Sequence, residues 1–102
     1  MAEEISVDEL AQRIDANAYV LDVREDWEFE DGHVPTAHHM PLGAVPDNYL
    51  EIPKDQEILV ICKSGRRSQS AANFLLEQGF NALSVADGTE GWIASGREVS
   101  YE

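Results

Sequence analysis

Apolar positions along the chain follow two spacings that take turns. Ala18-Tyr-Val-Leu-Asp-Val23 and Glu57-Ile-Leu-Val-Ile-Cys62 are short apolar runs bounded by charge or turn residues, the pattern of buried strands. Ala82–Ala86 predicts a third strand, and His38–Met40 a brief fourth after the turn that starts at His33. Between these runs the spacing becomes helical. Ser6 through Ile14 predicts a helix, with Ser6 as cap, Glu9 as its capping-box partner, and Leu10 and Ile14 on one face. Arg66 to Gln78 predicts the longest helix, with an apolar face of Ala71, Ala72, Phe74, Leu75 and Leu76 and a stop at Gly79. Residues 25–31 predict a short acidic helix with Trp27 facing inward, closed by Gly32. Leu42–Leu50 predicts one or two helical turns broken by Pro46. A last helix, Thr89–Ala94, follows a turn at Asp87-Gly88. Trp27, Phe74, Phe80 and Trp92 are assigned to the core. Strands alternating with helices through short loops predict an α/β layered fold, largely parallel, with helices on both faces of the sheet.

At 102 residues, with no repeat, low-complexity tract or Gly/Ser-rich linker, residues 1–102 are expected to form one domain. The longest apolar run, Ile58 to Cys62, is far short of the ~20 residues that cross a membrane. The start, Met-Ala-Glu-Glu, lacks the positive charge and apolar stretch of a secretory leader, so a cytoplasmic setting is expected. One cysteine excludes an intramolecular disulfide and a multi-Cys zinc site, in keeping with a reducing compartment. Twenty acidic against seven basic residues give a net charge of −13, which repels nucleic acid and anionic membranes. Three of those seven bases, Lys63, Arg66 and Arg67, fall within five positions, and no acid lies between Glu57 and Glu77. The surface is therefore expected to be acidic everywhere except around its one cysteine.

Cys62 closes the clearest strand, and ligand sites of open α/β sheets lie at the carboxyl ends of strands. In the following Lys63-Ser-Gly-Arg-Arg-Ser68, Gly65 frees the backbone to aim amides inward. The first amides of the next helix carry partial positive charge. Such settings lower a cysteine pKa from ~8.5 to roughly 3.5–7.5. The thiolate is the nucleophile, so Cys62 would need no general base. The plainer reading is a small buried apolar residue beside solvated cations. An anionic ligand accounts better for bases clustered in so acidic a chain.

Asp22 and Arg24 stand at the end of the Tyr19–Val23 strand. Asp22 could orient a loop cation, but an ion-pair network holding the strand end is preferred, and Arg24 and Glu28 have the spacing of a local helical pair. His33, His38 and His39 lack metal-ligand spacing, and His33 is read as turn-stabilising. A cysteine protease would need a histidine base with an orienting third group, and nothing singles one out.

Cys62-Lys-Ser-Gly-Arg-Arg-Ser68 resembles the active-site loop of the rhodanese (sulfurtransferase) family, Cys-x-x-Gly-x-Arg-Ser. Leu21-Asp-Val-Arg-Glu25, Glu28-Phe-Glu-Asp-Gly-His-Val-Pro35, Leu75-Leu-Glu-Gln-Gly-Phe80 and Gly88 with Trp92 are similar to further family segments in the family's order. Two positions depart from the pattern: Thr36 where Gly usually follows Pro, and Asp87 for the first Gly of a pair. The resemblance implies a rhodanese-like three-layer α/β domain with a five-stranded, mostly parallel sheet flanked by helices. It also implies a persulfide on Cys62, substrate binding by Lys63, Ser64, Gly65, Arg66, Arg67 and Ser68 with support from Asp22 and Arg24, and no metal or organic cofactor. The implied donor is thiosulfate or a similar sulfane compound, and the acceptor cyanide, a thiol or a protein. The other implied possibility is a sulfur-carrier or protein-interaction module with weak free-standing activity. Cysteine phosphatases and arsenate reductases use Cys-x5-Arg; here Arg67 follows four residues and Ser68 stands where they need Arg. The loop also lacks the Cys-Gly-x-Gly-Val-Thr pattern of mercaptopyruvate-type enzymes, which tilts the donor towards thiosulfate.

Overall fold

Alternation along one strand sets the layers. In the computed structural model, which describes residues 1–102, Ile58, Val60 and Cys62 enter the core on one side of the sheet while Leu59 and Ile61 enter it on the other. The sheet has five strands: β1 (Glu4–Ile5), β2 (Tyr19–Asp22), β3 (His38–His39), β4 (Glu57–Ile61) and β5 (Asn81–Val85). All pair in parallel in the order β1-β5-β4-β2-β3. The helices are α1 (Val7–Asp15), α2 (Asp26–Glu30), α3 (Val45–Asn48), α4 (Arg66–Glu77) and α5 (Gly88–Ala94). Residues of α3 and α4 (Val45, Ala71, Ala72, Leu75) pack with Cys62, Val60 and Ala82. Residues of α1 and α5 (Val7, Leu10, Trp92) pack with Leu59, Ile61 and Val85 on the other side. No helix is long and apolar enough to cross a membrane.

The α/β reading and the parallel five-stranded sheet are both observed. The strand that patterning misses is β1. Two residues carry no periodicity, and this edge is made by backbone bonds: Ser84 N–H donates to Glu3 O and Ala86 N–H to Ile5 O, both at 2.9 Å. Four local expectations are corrected. Trp27 is 71% exposed rather than core. In the five-residue α2 the inward position belongs to Glu28, which Arg67 meets, and Phe29 stacks on His33 and His39. A rotation of about 100° per residue then turns Trp27 outward. Leu76 is likewise exposed, one residue past the buried Ala71–Ala72–Leu75 face of α4. Pro46 does not break its segment. It sits in the first turn of α3, where its missing N–H leaves no bond unmade, and tight 3-10 turns at Leu42–Ala44 and Tyr49–Glu51 flank it. The capping box also moves: Ser6 accepts from Glu9 N–H, but the Glu9 carboxylate pairs with Arg13, and the reciprocal box forms at Glu25 and Glu28.

Of the two departures from the pattern of the resemblance, the backbone explains one and is strained at the other. Asp87 has φ −96°, open to any residue, so no glycine is needed there. Gly88 beside it has φ +60°, and a Cβ would lie 2.4 Å from Lys63 O. Gly65 answers from the other side: φ is +107°, and a Cβ would meet Ala86 O at 2.2 Å. Thr36 adopts φ +72°, a left-handed conformation that is costly for a β-branched residue.

Gly65→Ala and Gly88→Ala are each expected to lower stability by about 1–3 kcal/mol or more, because backbone strain and collision act together. Thr36→Gly should be neutral or stabilising, since it relieves strain at an exposed turn. Urea unfolding midpoints test this pattern of opposite signs. Losses of equal size in all three would contradict it.

Candidate active site

Cys62 follows the last residue of β4, which is held by β2 on one side and β5 on the other. Its side chain is 1% exposed and faces α4. The positive φ of Gly65 bends the loop back so that Gly65 N–H donates to Cys62 Sγ at 3.1 Å, and Ser68 Oγ lies 3.5 Å from the sulfur. Burial is the strongest single influence on this thiol and pushes its pKa up. The Ser68 hydroxyl and the amides of Ser68, Gly65 and Ser64 together outweigh it and hold the pKa below the ordinary thiol range. The thiolate is thus favoured by hydrogen bonds rather than by a contacting cation.

Ser68 Oγ also lies 2.8 Å from Ser84 Oγ of β5, and both serines are fully buried. Ser84 is absent from the sequence candidates. The signal that could have found it is a hydroxyl at a buried position of an otherwise apolar strand, on the same side of the sheet as Cys62. Such a group needs a partner.

The loop cations are less free than the sequence suggests. Both terminal nitrogens of Arg67 pair with the Glu28 carboxylate, at 2.7 and 2.9 Å. Arg67 holds the Glu28 pKa at about 2, against an ordinary 4.5. Lys63 Nζ lies 3.9 Å from Glu90. The acid-free surroundings expected for Cys62 are therefore not found, because the topology brings Glu28 from α2 and Glu90 from α5 to a loop whose own sequence has no acids. Arg66, exposed at the start of α4, has no carboxylate within ion-pair distance.

Asp22 is fully buried, and its carboxylate accepts only from Arg24, from the backbone N–H, Nε and Nη2 at 2.8–3.1 Å. It meets no cation of the cysteine loop. Arg24 also donates to Gly32 O at 2.9 Å, tying the end of β2 to the end of α2, and makes no hydrogen bond to Glu28 despite the spacing. The histidines pack: His33 Nδ1 bonds Phe29 O and its ring stacks on Phe29, His38 stacks on Tyr19, and His39 Nε2 bonds Arg24 O. The α5 end of the site is joined through the main chain. Thr89 N–H and Oγ donate to Cys62 O at 2.8 and 3.0 Å, and Glu90 N–H donates to Lys63 O at 3.0 Å.

Residues 6–95 match the family model of the Rhodanese-like domain. The chain is 39% identical over 92 residues to the YtwF protein of Bacillus subtilis (strain 168), covering 88% of this chain and 89% of that one. It is 34% identical over 102 residues to a sulfurtransferase of Allochromatium vinosum, covering 97% and 95%. Its fold superposes on the crystal structure of a rhodanese-related protein from Thermoplasma volcanium with a TM-score of 0.93, at 32% identity and over 98% and 99% of the two chains.

Two outcomes follow from this geometry. Ser84→Ala removes the buried partner of Ser68 and should raise the Cys62 pKa; the pH profile of iodoacetamide alkylation measures it, and an unmoved profile would disconnect Ser84 from the sulfur. Glu28 has a depressed pKa in the folded chain, so its pair with Arg67 contributes stability above the ordinary carboxyl pKa of 4.5, and this is lost as pH falls through about 2. Thermal midpoints between those pH values should fall less steeply for Glu28→Gln than for the parent.

Proposed function

The chain belongs to the rhodanese-like domain family, which is of sulfurtransferase type, and on that basis we propose that it carries a sulfane sulfur from thiosulfate or a similar donor to a thiophilic acceptor through a Cys62 persulfide. The observation that carries this reading is the buried Cys62 sulfur held by Gly65 N–H and Ser68 at the carboxyl end of the central strand. The Cys62 thiolate attacks the outer sulfur of thiosulfate. A sulfur–sulfur bond forms to Cys62, the donor's own sulfur–sulfur bond breaks, and its electron pair leaves with sulfite. The amides of Ser64, Gly65 and Ser68 that favour the thiolate are placed to favour the anionic persulfide too. Lys63 and Arg66 draw the dianion in, and Arg67, anchored by Glu28, adds a fixed positive charge near the sulfur. A second nucleophile then takes the outer sulfur, so one site serves both half-reactions in a ping-pong scheme. Asp22 and Arg24 support the site by fixing the end of β2. The chain works as one domain within a reducing, cytoplasmic setting. The shorter Cys-to-Arg spacing suits one sulfur atom better than a tetrahedral oxyanion.

After incubation with thiosulfate and desalting, the intact mass should rise by one sulfur atom, and cyanide should release that sulfur as thiocyanate. Cys62→Ser should abolish both. Arg66→Ala should lower kcat/KM for thiosulfate by about ten- to a hundredfold, while Lys54→Ala, outside the loop, should change little. Thiocyanate formation by Cys62→Ser at the parent rate, or Cys62-dependent hydrolysis of aryl phosphates, would overturn the proposal.

A further inference from the structure

Two of the exposed large apolar side chains, Trp27 on α2 and Ile93 on α5, are 71% and 54% exposed and line the same open groove of about 220 Å³. Lys63 and Thr89 line it as well, and Thr89 holds the main chain of Cys62. The groove therefore borders the main chain of the cysteine loop on its α5 side. Its charge is opposite to what a dianionic donor would favour. Glu25, Asp26, Glu30 and Asp31, all exposed, surround Trp27 in sequence, and Glu90 stands on the opposite wall. The nearby cations are already engaged: Arg67 by Glu28, Arg24 by Asp22, and Lys63 near Glu90.

We infer that this groove docks the sulfur acceptor, and that the acceptor is a protein thiol on a cationic segment with an apolar side chain beside it. The inference rests on the sulfur-transfer reading above and names the acceptor class for the same site. A small thiol or cyanide needs no exposed tryptophan. A second copy of the chain would bring another −13 to a face that is already acidic. A basic segment gains from the carboxylates on approach and from burying Trp27 and Ile93 on contact. In the transfer, the acceptor thiol loses its proton to solvent and its thiolate attacks the outer sulfur of the persulfide. The bond between that sulfur and Cys62 breaks, and its electron pair stays on Cys62 Sγ. The acceptor leaves as a persulfide, with no net oxidation.

The probes are two synthetic peptides, each with one Cys and one Leu, one rich in Lys and the other in Glu, and a Cys→Ser version of each. Loading by thiosulfate is confirmed first by intact mass; failure there defeats the sulfur-transfer reading alone. Docking is then read without turnover, from the tryptophan fluorescence change when the serine peptides bind. With loaded protein, the Lys-rich peptide should accept sulfur about tenfold or more faster than the Glu-rich one at low salt. The gap should narrow as the Debye length falls from ~30 Å to ~8 Å. Trp27→Ala and Ile93→Ala should each slow the Lys-rich peptide roughly fivefold or more and leave thiocyanate formation from cyanide unchanged. Glu30→Gln with Asp31→Asn should shrink the preference, whereas Glu51→Gln with Asp55→Asn, far from the groove, should not. Equal binding and equal rates for the two peptides overturn the inference. So do insensitivity to Trp27 and Ile93, and self-association of the chain that Trp27→Ala abolishes.

Discussion

The geometry of the cysteine depends on a contact in which side chains are nearly absent. The loop after β4 and the turn between β5 and α5 approach backbone to backbone, with Gly65 against Ala86 O and Gly88 against the carbonyls of Cys62 and Lys63. The first N–H groups of α5 then cap those same carbonyls. The loop thereby satisfies its outward carbonyls on α5 and leaves its inward amides for the sulfur. Without the close approach, the carbonyls would need water and the amides would lose their aim.

A second tension lies at the sulfur. Burial in a close-packed layer opposes the thiolate, and short-range donors restore it. Such donors work only if held, and each is held from elsewhere: Gly65 by its packing on Ala86, Ser68 by Ser84 beneath it. The Arg67–Glu28 pair extends the same logic outward, fixing α4 to α2 so that a full positive charge stands near the sulfur without a long free side chain. A bidentate pair with one partner largely buried is better suited to such positioning than an exposed one.

Much of this was legible in the sequence, for identifiable reasons. β4 and the second strand announced themselves because strands covered on both faces must be apolar throughout, and α4 because its buried stripe recurs at helical spacing. Gly65 and Cys62 were legible because few residues can do what those positions need. What escaped depends on partners far away in the chain. An apolar Trp27 is expected to face inward, yet the direction of a five-residue helix is set by Arg67 drawing Glu28 inward, 39 residues apart in sequence. The pairing of Arg67 is the same event seen from the other end. β1 escaped because two residues show no pattern, and Ser84 because a serine within a strand has meaning only once Ser68 lies over it.

The near-complete burial of Cys62 would separate the free and sulfur-loaded forms of the proposed cycle by reach. A sulfur–sulfur bond is about 2.05 Å long, so under the proposed persulfide the transferable sulfur would stand one bond further out than Cys62 Sγ, still within reach of the loop amides. On that proposal an acceptor would meet the outer sulfur without touching the buried Sγ. Without that sulfur, Cys62 Sγ lies behind Gly65 and Ser68, as in the free protein. A bulky thiol would therefore reach the outer sulfur more readily than Cys62 Sγ, so the steric margin of one atom would disfavour a mixed disulfide between carrier and acceptor. Forward and reverse transfer share one transition state and would be affected alike.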